Sequence, residues 1–173
     1  MRKAVCQFVI AAGVLATIAI AQPALAIANV GEAAPPLVVA ELNGQVFDLA
    51  AMRGRVVIVN FWATWCPPCQ REMPALDAFY RHYHRLGLEL IGLSADRSHD
   101  QAEVPKVMQS FSYPAAILDQ AKINGFGAPA SLPVTLVIDG QGIVRARFTA
   151  DGTPLTEKTL GAAVLPLLPH QGG

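Results

Sequence analysis

The sequence predicts an α/β domain with a central mixed β-sheet flanked by helices, and three observations predict it. Two continuous apolar runs, Val56-Val57-Ile58-Val59 and Leu88 to Leu93, have the signature of strands buried on both faces. A helix-period stretch from Pro67 to Leu86 lies between them, and strand, helix, strand in that order implies a right-handed parallel crossover. Further on, Val134 to Ile138 and Ile143 to Phe148 flank Asp139-Gly140-Gln141-Gly142, an antiparallel hairpin that makes the sheet mixed.

The remaining elements follow in order. Ala28 to Pro36 is an irregular Gly/Pro/Ala leader. Leu37 to Glu41 and Gln45 to Phe47, joined through Asn43-Gly44, predict an N-terminal β-hairpin. Asp48 is placed to cap a short helical turn ending near Gly54. Gly87 stops the long helix. Gln101 to Phe111 reads as a second helix, with Glu103 and Pro105 in its first turns, and Tyr113 to Leu118 as a short strand. Pro154 and Thr156 open a last helix to about Leu165, and Pro169 to Gly173 reads as a frayed tail.

The chain has 173 residues, 53% hydrophobic, and its 13 basic residues balance 13 acidic ones. That is enough for one packed core, and nothing in the charge balance points to nucleic acid as a partner. Met1-Arg2-Lys3, the apolar stretch Ala4 to Ala21 and Pro23-Ala24-Leu25-Ala26 together read as a secretory signal peptide over residues 1–26. An uncleaved membrane anchor is the alternative. Residues 27–173 then form a single domain. Cys6 lies at the start of the apolar run and would be removed with it, leaving Cys66 and Cys69 of the three cysteines.

In an oxidising compartment, stabilising disulfides close long loops, whereas a bridge across two prolines restrains almost nothing. A C-x-x-C pair where a buried strand enters a helix has a different logic. The helix N-terminus offers unpaired N–H groups and a positive dipole end that stabilise a thiolate. Pro67 and Pro68 fit the first turn, where an N–H has no intrahelical acceptor, but they remove two donors from the Cys66 thiolate and should temper its acidity.

Numbered at 100° per residue with Met73 at zero, Cys69, Leu76, Phe79, Tyr80, Tyr83 and Leu86 fall in one arc of about 120° on the helix. Gln70, Arg71, Asp77, Arg81, His82, His84 and Arg85 fall opposite, and Pro74 inside the helix predicts a kink. Glu72 breaks the pattern by lying inside the apolar arc, one turn beyond Cys69. Burial would raise its pKa and fit it to exchange protons with the Cys69 thiol; alternatively its side chain bends out to solvent. Zinc is not expected. There is no second cysteine pair, and His82 lies about 20 Å along the helix from Cys69.

The stretch Val59-Asn60-Phe61-Trp62-Ala63-Thr64-Trp65-Cys66-Pro67-Pro68-Cys69, with Glu72 and Pro74, closely resembles the TlpA/ResA-like branch of the thioredoxin superfamily. The match continues through Tyr113-Pro114 to Leu118-Asp119 and through Leu132-Pro133 to Asp139, covering essentially Ala33 to Leu168. The resemblance implies a thioredoxin fold with an N-terminal β-hairpin and a central helix-strand insert, exported to the periplasm and in some members membrane-tethered. It implies a protein-disulfide reductase without a cofactor, in which Cys66 is the exposed attacking thiol, Cys69 the resolving thiol and Glu72 the active-site glutamate. By the same resemblance Pro133 is a cis-proline facing the Cys66–Cys69 disulfide, and Leu132 offers its backbone to an extended substrate, simple packing being the alternative. Trp65 and Pro67 belong to the docking surface, while Trp62 is docking surface or core.

Clients implied by the resemblance are proteins with cysteine pairs, such as apocytochrome c or copper-site assembly proteins, with a membrane electron donor of the DsbD/CcdA type and a monomeric enzyme. A disulfide oxidase or isomerase, or a module that binds a client or copper without turnover, are the competing readings. Two departures bear on substrate preference: Val134 stands where relatives commonly have Thr, and Gly127 to Ser131 is small and proline-bearing. Asn60 occupies the place of the buried Asp of cytosolic thioredoxins, which leaves Glu72 as the proton acceptor.

Overall fold

The computed structural model describes residues 27–169; the segment read as a signal peptide, residues 1–26, and residues 170–173 lie outside the described residues. The strands β1 (Leu37–Ala40) and β2 (Val46–Asp48) form the expected hairpin, with Val39 opposite Phe47. The Asp48 carboxylate accepts the Ala50 N–H and caps the helical turn Leu49–Met52.

The strand β3 (Val56–Trp62) is buried along its whole length and runs parallel to β4 (Leu88–Ser94), from Val56 opposite Leu88 to Trp62 opposite Ser94. Between them, α1 (Pro67–Tyr83) runs through Pro74, tightens over His84–Leu86 and stops at Gly87, whose φ is 97°. A side chain at Gly87 would also meet the ring of Pro169 at 3.0 Å, so both conformation and close approach require glycine there.

After β4 come α2 (Val104–Met108), β5 (Ala115–Ile117) and β6 (Ile123–Asn124), then the hairpin of β7 (Val134–Ile138) and β8 (Val144–Thr149). The last helix, α3 (Glu157–Val164), opens on Thr156, whose hydroxyl accepts the Thr159 N–H while the Thr159 hydroxyl accepts the Thr156 N–H. The central sheet has the order β5-β4-β3-β7-β8, and β2-β1-β6 form a smaller one.

The strict alternation of β3 divides the core. Val56, Ile58 and Trp62 pack with Met73, Leu76 and Phe79 of α1 and Leu160 and Val164 of α3. Val57, Val59 and Phe61 pack with Leu37, Val39 and Phe47 of the small sheet. At most about 1.5–3 kcal/mol per fully buried large aliphatic side chain, these two layers supply the main stabilisation of the fold. Their common element, β3, carries the chain directly into the cysteines.

Three expectations are corrected. The second helix ends at Met108 rather than Phe111, because the Ser112 N–H is taken by the Asp77 carboxylate at 2.6 Å instead of by the carbonyl one turn earlier. Asp77 itself, assigned to the polar side of α1, is only 6% exposed: it also accepts from the Ser112 hydroxyl at 2.7 Å and pairs with Arg81. In the other direction, Leu86, assigned to the apolar arc, is exposed. The two-residue strand β6 was not anticipated; it exists through non-local pairing with β1, Leu37 opposite Asn124.

Candidate active site

The site lies at the C-terminal edge of β3. Ala63 to Cys66 form a tight turn closed by the Cys66 N–H on the Ala63 carbonyl at 3.1 Å, and α1 begins at once. Cys66 is the N-cap of α1 and is bridged to Cys69, with the two Cα atoms 5.3 Å apart. Pro67 and Pro68 fill the first two helical positions, so the first helical N–H is that of Cys69, and it donates to Cys66 Sγ at 3.3 Å. A thiolate on Cys66 would thus keep this one main-chain donor and the dipole of a 17-residue helix.

Cys66 was expected to be exposed, and this is corrected: in the disulfide it is 4% exposed, against 1% for Cys69. The bridge turns both sulfurs into the core layer containing Trp62, Met73 and Tyr113. What solvent meets is the collar around them, because Trp65 is 59% exposed and Pro67 is exposed as well. Trp62 is wholly buried and belongs to the core.

The Leu132–Pro133 peptide bond is cis. Phe61 pairs with Val134 across β3 and β7, which puts Pro133 at the edge of the sheet where β3 ends and the cysteine turn begins. Leu132 is half-buried and packs on both core layers. Val134 is buried. The loop before it is anchored: Asn124 clamps Gly127 by accepting its N–H at 3.1 Å and donating to its carbonyl at 3.2 Å. Phe126 is buried edge-on against Phe61.

Glu72 is half-buried three residues beyond Cys69, and burial raises its carboxyl to about 6, with the Arg71 guanidinium pulling weakly the other way. Half-burial lies between the two placements the sequence left open, inward and bent out to solvent. On the neighbouring strand Asn60 is buried, donating to the Thr135 hydroxyl at 2.9 Å. Burial also raises the Tyr113 hydroxyl well above its ordinary range, helped by the negative Asp77.

One residue of the site escaped sequence reasoning. Asp96, just beyond β4, is 2% exposed and accepts from Thr64, two residues before Cys66. The available signal was an acid in Ser94-Ala95-Asp96, at the carboxyl end of a buried parallel strand, where α/β sheets place functional groups.

A cis-proline, a helix-capping cysteine bridged to its neighbour one turn on, and this sheet order define a thioredoxin-fold thiol-disulfide oxidoreductase. Residues 30–147 match the AhpC/TSA family. The chain is 34% identical over 125 residues to "Thiol-disulfide oxidoreductase ResA" of Bacillus cereus, covering 72% of each chain. Among solved structures it resembles a thiol:disulfide interchange protein of the thioredoxin family from Chlorobium tepidum TLS, with TM-score 0.63 and 25% identity over 81% of this chain and 98% of that one. It also resembles a secreted thiol-disulfide isomerase from Corynebacterium glutamicum, with TM-score 0.60 and 27% identity over 77% and 83%. The chain belongs to the AhpC/TSA family, within its ResA-like thiol-disulfide oxidoreductases.

Proposed function

We propose that this chain is an exported reductant of disulfides in client proteins, acting in the periplasm through the Cys66–Cys69 pair. The observation that carries the direction of electron flow is the proline pair at the start of α1. It leaves the Cys69 N–H as the first main-chain donor of the helix and directs it to Cys66 Sγ. A thiolate with little stabilisation favours the disulfide, which makes the dithiol a willing electron donor; strong oxidants instead stabilise their reduced form.

The Cys66 thiolate attacks one sulfur of a client disulfide, forming a mixed disulfide and expelling the other client sulfur as a thiolate. Glu72 takes the proton of Cys69, and the Cys69 thiolate attacks Cys66 Sγ. The second client sulfur leaves, the Cys66–Cys69 disulfide forms, and two electrons have passed to the client. Trp65 and Pro67 supply the apolar collar that receives the client, while the Leu132 backbone beside cis-Pro133 receives its extended chain.

Clients that need free thiols in an oxidising space fit this chemistry, such as apocytochrome c or copper-site assembly proteins. A membrane donor of the DsbD/CcdA type would return the electrons. Residues 1–26 serve as signal peptide or tether, with residues 27–173 as one catalytic domain. Among the described residues no helix is long and apolar enough to cross a membrane.

The test is the equilibrium reduction potential, followed by tryptophan fluorescence in graded thiol buffers, since Trp65 adjoins Cys66. A value at or below about −230 mV supports the reductant, and a value near −120 mV makes disulfide donation the function.

A further inference from the structure

We propose that Asp96 sets the redox balance of Cys66: its buried carboxylate anchors the turn that carries the cysteine and, as a like charge behind it, disfavours the Cys66 thiolate and favours the disulfide. This rests on Cys66 being the attacking thiol, and it deepens the reductant reading by naming a source of the low potential.

The geometry is a convergence of donors. The Thr64 N–H reaches both carboxylate oxygens of Asp96, at 3.0 and 3.2 Å, the Thr64 hydroxyl donates at 2.6 Å, and the Ser94 hydroxyl at 2.7 Å. The Thr64 N–H can only donate, and it reaches both oxygens, while the two hydroxyls are free to donate as well, a set that suits a carboxylate. A charge taken out of water is tolerable when hydrogen-bonded in this way. Among the described residues no lysine, arginine or histidine forms an ion pair with Asp96.

The anchored residue leads straight to the nucleophile. Thr64 is held at its N–H and hydroxyl by Asp96 and at its carbonyl by the Gln70 side chain of α1. Cys66 follows two peptide units later, so its Cα lies at most about 7.6 Å from that of Thr64. The carboxylate bound to Thr64 and the sulfur of Cys66 are both buried, at 2% and 4% residue exposure, where a like charge is screened less than in water.

The surroundings do not cancel it. From β4 the facing group is the neutral Ser94, and from the loop after β4 it is Gln101, which donates to the Asp96 carbonyl at 3.2 Å and to Asp119 at 2.9 Å. Between Asp96 and Gln101 the same loop carries Arg97, directly after Asp96 and exposed, then His99 and Asp100, of which His99 sits 3.0 Å from Asp100. On α1, Glu72 is a second acid near the pair, with Arg71 exposed beside it. Hydrogen-bonding groups, not cations, compensate Asp96.

The test equilibrates the full chain with dithiothreitol at pH 8. The Cys66–Cys69 bond takes two electrons and two protons from dithiothreitol, which closes into its cyclic disulfide. Wild type is compared with Asp96→Asn, which keeps the shape and removes the charge, and with Thr64→Val, which loosens the anchor and keeps the charge. Cys66 is also titrated by thiolate absorbance.

In Asp96→Asn the Cys66 pKa falls by about one unit, as for removal of a nearby like charge. The reduced form then gains up to about tenfold, up to about 30 mV upward for a two-electron couple, the full amount being reached only where pH lies above both pKa values. Thr64→Val melts lower with its potential unmoved. A folded Asp96→Asn with wild-type potential and titration overturns the proposal, and so does a Thr64→Val shift equal to that of Asp96→Asn, which would assign the effect to geometry. Should Asp96→Asn not fold, the neutral Asp96→Ser is read in its place by the same criteria. A strongly oxidising wild type with an intact Asp96→Asn shift would sink the reductant reading alone.

Discussion

The main-chain N–H of Cys69 points at the sulfur of Cys66 from 3.3 Å, and no helical N–H precedes it, because the two positions before it are prolines. A loop with prolines elsewhere would surround the thiolate with more donors. Replacing Pro67 and Pro68 by Ala should restore them, lower the Cys66 pKa by about one unit or more and raise the reduction potential. Thiolate absorbance against pH checks the first effect. An unchanged titration in a folded variant would mean the prolines do not temper acidity.

The order of attack has its own signature. Cys69→Ser should accumulate a stable mixed disulfide between Cys66 and a disulfide-bonded client peptide, visible by mass spectrometry. Cys66→Ser should form none and reduce insulin at the background rate. Equal trapping by both variants would remove the assignment of Cys66 as nucleophile and Cys69 as resolver.

Glu72 ties activity to pH. As a base its carboxyl must be ionised, so turnover of the resolving step should decline as pH falls through about 6. Glu72→Gln should lose about a hundredfold above that pH and show no such inflection. Stability runs oppositely. A carboxyl whose pKa is raised on folding favours the native state below its unfolded value near 4.5, and that advantage disappears as pH rises through about 6. Glu72→Gln should therefore melt higher than wild type at pH 7 to 8, by less than about 1 kcal/mol because the group is half-exposed, and the gap should close below about pH 4.5. A melting difference that ignores pH would contradict the burial assigned to Glu72.

Asp77 holds α1 to the loop before β5 through the Ser112 N–H and hydroxyl. Asp77→Ala leaves the Ser112 main-chain donor without its partner and should cost about 1–3 kcal/mol in denaturant unfolding. The reduction potential should stay where it was. Loss of redox function without loss of stability would reassign Asp77 to the site.

Much of this molecule follows from short-range pattern. The continuous apolar runs at Val56 and Leu88 fix the buried central strands because only a strand covered on both faces can bury every residue. Asn43-Gly44, Asp48, Gly87 and Thr156 fix turns and helix ends because their local hydrogen bonds or backbone freedom have few alternatives. Cys66 and Cys69 are legible from their spacing where a strand enters a helix, and Glu72 stands out because a helix enforces its period on any residue within it.

Tertiary structure decided where long-range partners outweigh local preference. The 100° wheel puts Asp77 on the wet side, yet Ser112, 35 residues away, supplies the donors that let it be buried and that end α2 early. The strand β6 has no pattern of its own and exists because β1 lies beside it. The Cys66 sulfur is covered because the bridge to Cys69 turns it into the core, leaving Trp65 to meet solvent. Asp96 joins the site because the parallel crossover brings the ends of β3 and β4 side by side. By itself the sequence determined the main strands and helices, the cysteine pair and the neighbouring acid, all set by patterns within a few residues. Which polar groups could be buried near the pair depended on donors from distant strands and loops, and only the assembled fold could bring them there.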